Sequence, residues 1–382
     1  MPAVDRAYCI ADLKQLARKR IPSFAFDYIE EGCNANLAVQ RNRQALDEVL
    51  LSPHYMHGYA KPDVSTCLFG KTYAQPFGIA PIGLSGLIWP DASIMHAKTA
   101  KRANLPFVLS TVATVSIEAA AQHAGDNFWF QLYPPADRAM CLDLLARVKA
   151  VGCNNLVVTV DVPTPSRRIK ALKSGLSVPP KITPASVWQS CLRPYWSLAT
   201  VRAGLPQFAN LSPYMDDKVK DMKDAAEFIR MNLRDVVDLA QLQWVREHWH
   251  GNLIVKGVLS VADAQVIREL GADGIIVSNH GGRQLDAAPA PAELLTDVVQ
   301  AVAADVTVMV DSGVESGVDI GRYLSQGAQA VFAGRAFLYG VAAGAQKGSD
   351  KCAELLAAEI QQLMSQLHCQ QVSSMPSFQF EK

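Results

Sequence analysis

Between residues 278 and 286 the chain reads Ser278-Asn279-His280-Gly281-Gly282-Arg283-Gln284-Leu285-Asp286. An imidazole exchanges protons near neutral pH, and a guanidinium forks onto a carboxylate. The paired glycines between them let backbone pass close to a ligand. A lone histidine beside a glycine turn is more often a satisfied structural group. Here Arg283 stands next to it, and Asp161 is a candidate acid to orient it, so proton transfer on a small anion is the better reading. Other polar residues close short apolar runs along the chain: Ser110, Gln131 with Tyr133, Thr159 with Asp161, Lys256, Ser278 with His280, Asp311, and Gly334 with Arg335. One polar strand end means little, because a strand must stop somewhere. Seven in succession, with hydroxyl, amide, acid, base and two cations, point to chemistry.

The runs that carry these residues are 77–81, 107–110, 128–133, 156–161, 253–258, 274–280, 306–311 and 330–335. Each is nearly continuous in apolar character, as strands buried on both faces of a parallel sheet are. Amphipathic stretches of helical period lie between most of them, for example at 92–103, 137–151, 262–270, 291–303 and 315–326. Eight such units within roughly 260 residues predict an α/β fold, the (β/α)8 TIM barrel, with its chemistry where strands end and βα loops begin. A doubly wound sheet would bring five or six strands and a Gly-rich fingerprint after the first, which is absent. The chain is thus read as a single domain, 1–382, with two additions. Residues 1–75 form a helical extension (10–20, 24–31, 35–49) that ends in a Pro/Gly-interrupted stretch. The gap 162–235 is an insertion on the catalytic face, a lid or a binding surface.

Composition sets the outer limits. Of 382 residues 49% are apolar and 19% charged, which supplies a large core. Lys+Arg and Asp+Glu both number 36, so no net field favours nucleic acid. The eight cysteines are scattered without a C-x-x-C, which reads as reduced thiols and not as a disulfide framework or a metal site. The N-terminus lacks the features of a signal peptide, and no stretch reaches the ~18 apolar residues of a spanning helix. The expected compartment is the cytoplasm.

On these residues the chain resembles the FMN-dependent L-2-hydroxy acid oxidases and dehydrogenases, the family of glycolate oxidase, flavin-type lactate dehydrogenases and mandelate dehydrogenase. The likeness runs from Phe26-Asp27-Tyr28 to Gly334-Arg335, and the 278–286 segment is the family's signature. Trp129-Phe130-Gln131-Leu132-Tyr133, Val160-Asp161 and Val255-Lys256-Gly257 match in order and spacing. Ala80-Pro81-Ile82-Gly83-Leu84-Ser85-Gly86 looks most like the membrane-associated dehydrogenases. The resemblance implies that His280 is the base, paired with Asp161. It implies that Arg283 and Arg168 clamp the substrate carboxylate, with a hydroxyl bond from Tyr28, and that Tyr133 bonds the substrate oxygen. Arg168 is chosen over its neighbour Arg167 on family spacing alone. FMN is the implied cofactor. Pro81, Ile82 and Gly83 would meet it through backbone, and Ser110, Gln131, Thr159 and Ser278 would line the ring's surroundings. Lys256 would stand near its N1 side. Asp311, Ser312, Gly313, Gly334 and Arg335 occupy the expected phosphate loops. Relatives form homotetramers.

One position departs from the family. Where D-G-G-x-R-x-G is usual, this chain has Asp311-Ser312-Gly313-Val314-Glu315-Ser316-Gly317, which puts Glu315 in the place of the phosphate-binding arginine. Glu315 is expected to turn away, and FMN to be held more weakly than in relatives. The insertion is also unusual. From Val162 to Met215 it carries seven basic residues (Arg167, Arg168, Lys170, Lys173, Lys181, Arg193, Arg202) and no acidic one, with Trp188, Tyr195, Trp196, Phe208 and Tyr214. This suits a patch peripheral to the inner face of a membrane, where related dehydrogenases pass electrons to quinone. The lesser reading is a lid whose aromatics pack on the barrel. An oxidase using O2 stays open as an alternative, and more distantly a Schiff-base aldolase built on Lys256.

Overall fold

Eight short strands close into a parallel barrel in the computed structural model, which describes residues 3–56, 61–174, 183–204, 206–215, 228, 232–233 and 236–380. A hairpin precedes them, β1 (Thr66–Leu68) and β2 (Lys71–Tyr73). The barrel strands are β3 (Phe77–Ile79), β4 (Phe107–Ser110), β5 (Phe128–Leu132), β6 (Asn155–Thr159), β7 (Asn252–Val258), β8 (Gly274–Val277), β9 (Thr307–Asp311) and β10 (Ala330–Ala333). They neighbour one another in chain order, and β10 closes against β3. The predicted TIM barrel is therefore the observed fold.

Alternation along each strand divides the core in two. Val108, Trp129, Val157, Ile254, Ile276, Met309 and Phe332 fill the barrel interior. The intervening residues, such as Leu109, Phe130, Val158, Val255 and Val310, pack outward against the helices. Both faces of every strand are buried, which is why the runs read as continuous apolar stretches. The hairpin adds Leu68 and Tyr73 to the interior cluster, and the Tyr73 hydroxyl accepts the Trp129 indole N–H at 2.9 Å. Its two-residue turn has Phe69 and Gly70 at φ +51° and +78°, the left-handed pair that a tight hairpin requires. This hairpin stands where the sequence shows only a Pro/Gly-interrupted stretch, because strands of three residues carry no readable period.

Register puts the polar strand ends side by side. Ser110 pairs with Gln131, Thr159 with Lys256, and Asp311 with Phe332, all on one rim. The β7–β8 register slips between Lys256 and Val258, around Gly257 at φ +103°. A Cβ on Gly257 would lie 2.6 Å from the Asp161 side chain, so glycine there allows the end of β6 to close in.

The N-terminal helices α1 (Ile10–Arg20), α2 (Ser23–Glu30) and α3 (Leu37–Glu48) lie over this rim. α1 packs along the helical stretch Arg335–Leu367, which is broken at Gly344 and Ala345. α3 begins without a local side-chain cap. Asp286 accepts instead from the first-turn N–H of Ala38 at 3.1 Å and from Ala35, just before the helix, at 2.9 Å, and ties the extension to the loop after β8. Of the insertion, residues 175–182, 205, 216–227, 229–231 and 234–235 lie outside the described residues, Lys181 among them. Asp286→Ala strands those donors and should cost about 2 kcal/mol, read as a lower urea midpoint. An unchanged midpoint would show that the tether contributes nothing.

Candidate active site

Past the end of β8 the backbone enters the left-handed region three times running, at His280 (φ +58°), Gly281 (+65°) and Gly282 (+74°). For a histidine this is uncommon, and side chains hold it there. The His280 N–H donates to Ser278 Oγ at 3.0 Å, the Gly281 N–H to Ser312 Oγ at 3.0 Å, and the Gly282 N–H to Asn279 Oδ1 at 3.0 Å. The turn aims the ring at β6, where His280 Nδ1 lies 2.9 Å from Asp161 Oδ1. A carboxylate only accepts, so the Nδ1 proton is donated to Asp161 and Nε2 is the nitrogen left for the cavity. Burial pushes the Asp161 carboxyl upward, but the charge and hydrogen bond of His280, with Lys256 behind, outweigh it and hold it below its ordinary value.

Two cations flank one aromatic ring. The guanidinium carbon of Arg283 lies 4.8 Å from the Tyr28 ring centroid and that of Arg168 lies 5.7 Å from it. Arg283 donates to the Tyr28 carbonyl at 2.9 Å, and the Tyr28 hydroxyl donates to the Gly83 carbonyl at 3.3 Å. Arg168 lines the cavity, whereas Arg167 is exposed. Enclosure, and then the repulsion of Arg168, push the Arg283 guanidinium down to about 9. A bound anion relieves that strain by supplying the missing counter-charge. Tyr133 lines the same space. Its enclosure and the nearby Asp161 raise its hydroxyl above the ordinary value, which keeps it a proton donor.

These groups share one cavity of about 470 Å³, which also takes in Pro81, Ile82, Gly83, Ser110, Thr159, Lys256, Asp311, Ser312, Gly313, Gly334 and Arg335. Gln131, Ser278 and Asp161 adjoin it through their hydrogen bonds to Ser110, Lys256 and His280. Lys256 is buried and donates to Ser278 Oγ at 2.7 Å, with Asp311 Oδ2 3.0 Å away as its counter-ion. Asp311 also accepts from Ser312 Oγ at 2.9 Å. Gln131 Oε1 takes the Ser110 hydroxyl, yet Gln131 Nε2 and Thr159 Oγ1 are buried with no partner. Orphaned buried polar atoms are costly, and a heteroaromatic ring with donors and acceptors along one edge would satisfy them. The residues present thus fit a flavin.

At the expected phosphate end the arrangement differs from expectation. Glu315 does not turn away; it lines the cavity, with Oε1 4.0 Å from Lys14 Nζ. Lys14 reaches in from α1 and pairs with Glu30 at 2.8 Å, a contact with no local signal in the sequence. Arg43 also lines the cavity, but it is spent on Asp319 at 2.7 Å and Asp47. The Arg335 side chain donates to the carbonyls of Ile29 at 2.9 Å and Glu31 at 3.3 Å.

Residues 17–380 match the family model described as FMN-dependent dehydrogenase. L-lactate dehydrogenase of Pseudomonas syringae pv. syringae is 36% identical over 356 residues, 93% of each chain. L-lactate dehydrogenase of Xanthobacter autotrophicus is 36% identical over 93% of this chain and 91% of its own. Among solved structures, that of the monotopic membrane protein (S)-mandelate dehydrogenase superposes with a TM-score of 0.94 at 34% identity, covering 99% of this chain and all of its own. A mandelate oxidase structure gives 0.83 at 30% identity over 97% of each. Given the acid at 315, Glu315→Arg should tighten FMN rebinding by the apo-protein about tenfold, read from quenching of flavin fluorescence. Equal affinities would contradict the assignment of Glu315 to the phosphate end.

Proposed function

The chain belongs to the FMN-dependent dehydrogenase family, and on that premise we propose that it oxidises a small L-2-hydroxy acid to the 2-keto acid. The observation that carries this reading is the His280–Asp161 pair at 2.9 Å in the same cavity as two arginines that flank one tyrosine. Arg283 and Arg168 bind the carboxylate, the only permanent charge on such a substrate. Tyr133 donates to the substrate oxygen. His280 Nε2 takes a proton, and the carboxylate of Asp161 stabilises the imidazolium that results. Bound FMN supplies the acceptor for the two electrons that leave with the Cα–H bond. Thr159, Gln131, Ser110 and Lys256 would hold its ring, and Ser312, Gly313 and Gly334 its phosphate end. A Schiff-base aldolase is not favoured, because Lys256 Nζ is tied to Ser278 and Asp311.

The electrons pass on to a membrane quinone in this reading. The two helices Pro184–Cys191 and Pro194–Ala203 support it. Trp196 and Phe208 pack inward, and Trp196 donates to the Ile88 carbonyl at 3.0 Å, which is the lid expectation. Val187, Trp188, Leu192, Tyr195, Leu198 and Val201 are exposed, with Tyr195 at 76% and Val201 at 79%. Tyr195, Leu198 and Val201 recur every three residues along one side of a helix, next to Arg202. Such an apolar face rimmed by cations suits the surface of an anionic bilayer. No helix among the described residues is long and apolar enough to cross a membrane. An oxidase that uses O2 would have no need of this face.

His280→Gln should abolish anaerobic bleaching of the flavin by hydroxy acid while the protein stays yellow; a rate near that of the parent would refute the base. Sedimentation with anionic liposomes should carry the protein down, and Tyr195→Ser with Val201→Ser should leave it in the supernatant. Absence of the parent from the pellet would remove the membrane reading.

A further inference from the structure

Residues 28–34, at the end of α2, touch three arginine-bearing segments at once. The Tyr28 carbonyl accepts Arg283, and the Ile29 and Glu31 carbonyls accept Arg335. The third contact is the distinctive one. Glu31 is 2% exposed, and its carboxylate is spent on main-chain N–H groups: Lys170 donates to Oε1 and Ala171 to Oε2 at 2.9 Å. Three residues further on, the Asn34 N–H donates to the Arg167 carbonyl at 2.9 Å. Arg168 therefore stands between two attachments made by the same short stretch, one at its preceding residue and one at its following residues.

Burying a carboxylate is costly unless both oxygens are satisfied, and charged hydrogen bonds are among the stronger ones. A buried acid whose partners are backbone donors fixes the course of that backbone. Here the backbone is the root of the insertion, where the chain leaves the barrel rim and starts the helix Ile169–Ser174. A long arginine side chain on an exposed segment would otherwise lose its aim through rotation of its own root. We propose that Glu31 is a positioning residue for the substrate: it holds the 167–171 backbone so that the Arg168 guanidinium stays over Tyr28, facing the carboxylate site. The proposal rests on the assignment of Arg168 to the substrate carboxylate. It makes carboxylate affinity depend on a residue that touches neither substrate nor flavin.

The test uses the flavin-loaded protein and oxalate, a carboxylate with no Cα–H to oxidise, with Kd read from the change in flavin absorbance. Glu31→Gln keeps the shape but loses an acceptor, and should raise Kd about tenfold with unchanged flavin content. Arg168→Met should raise Kd at least as much, and the double variant should be no worse than Arg168→Met alone, because both changes act through one guanidinium. In anaerobic mixing with the best hydroxy acid, Glu31→Gln should weaken the apparent substrate Kd more than it slows the limiting rate of flavin reduction. If Glu31→Gln fails to retain flavin, Glu31→Asp, which keeps the charge and shortens the reach, should give the same pattern. Parent-like Kd in the Glu31 variants beside a weakened Arg168→Met overturns the proposal alone, as do losses that multiply in the double variant. Parent-like Kd in Arg168→Met itself overturns the clamp, and the proposal with it.

Discussion

Among the described residues, neither Arg168 nor Arg283 forms an ion pair with a carboxylate, although both line an enclosed cavity and flank the same ring. Several other half-buried arginines do meet carboxylates: Arg43 and Arg322 pair with Asp319, and Arg147 with Glu118. Burial of a charge, and then a like charge close by without a counter-ion, cost stability, and the depressed Arg283 reflects both in that order. The fold sustains it by spreading the burden. Tyr28 offers its ring to both guanidinium groups and its carbonyl to one. An anion held between them would supply the missing counter-charge.

The barrel supplies the rest by geometry. Residues from all eight barrel-strand ends converge on one rim because parallel register puts equivalent positions level with one another. Asp161 and His280 come from β6 and β8, which are not neighbours, and a glycine at 257 on the intervening strand lets them meet. Lys256, on that same strand, is held in place by Ser278 and Asp311. His280, Arg283 and Lys256 stand at or just past strand ends, whereas Arg168 is carried by the root of an insertion.

Much of this was legible in the chain because the signals were local. Eight doubly buried strands print as apolar runs, and their polar ends print as a series from Ser110 to Arg335. What escaped has contacts from far along the chain. Lys14 meets Glu315 across some 300 positions, and nothing in an amphipathic helix marks one lysine as the one that turns inward. Glu31 reads as one more acid at a helix end, yet it is buried against Lys170 and Ala171. Arg167 and Arg168 differ only by a rotation about the chain, which tertiary attachment decides. In the insertion, Trp196 packs inward while Trp188 lies outside, a division that no period in the sequence announces.

The central claim is that two guanidinium groups recognise a carboxylate next to an imidazole base. It is tested most directly by anaerobic titration of the yellow protein with a panel of L-2-hydroxy acids, each beside its neutral primary amide. The account predicts that at least one acid bleaches the flavin at concentrations where its amide leaves the spectrum unchanged. Bleaching by the amide as readily as by the acid, or by no member of the panel, would contradict it.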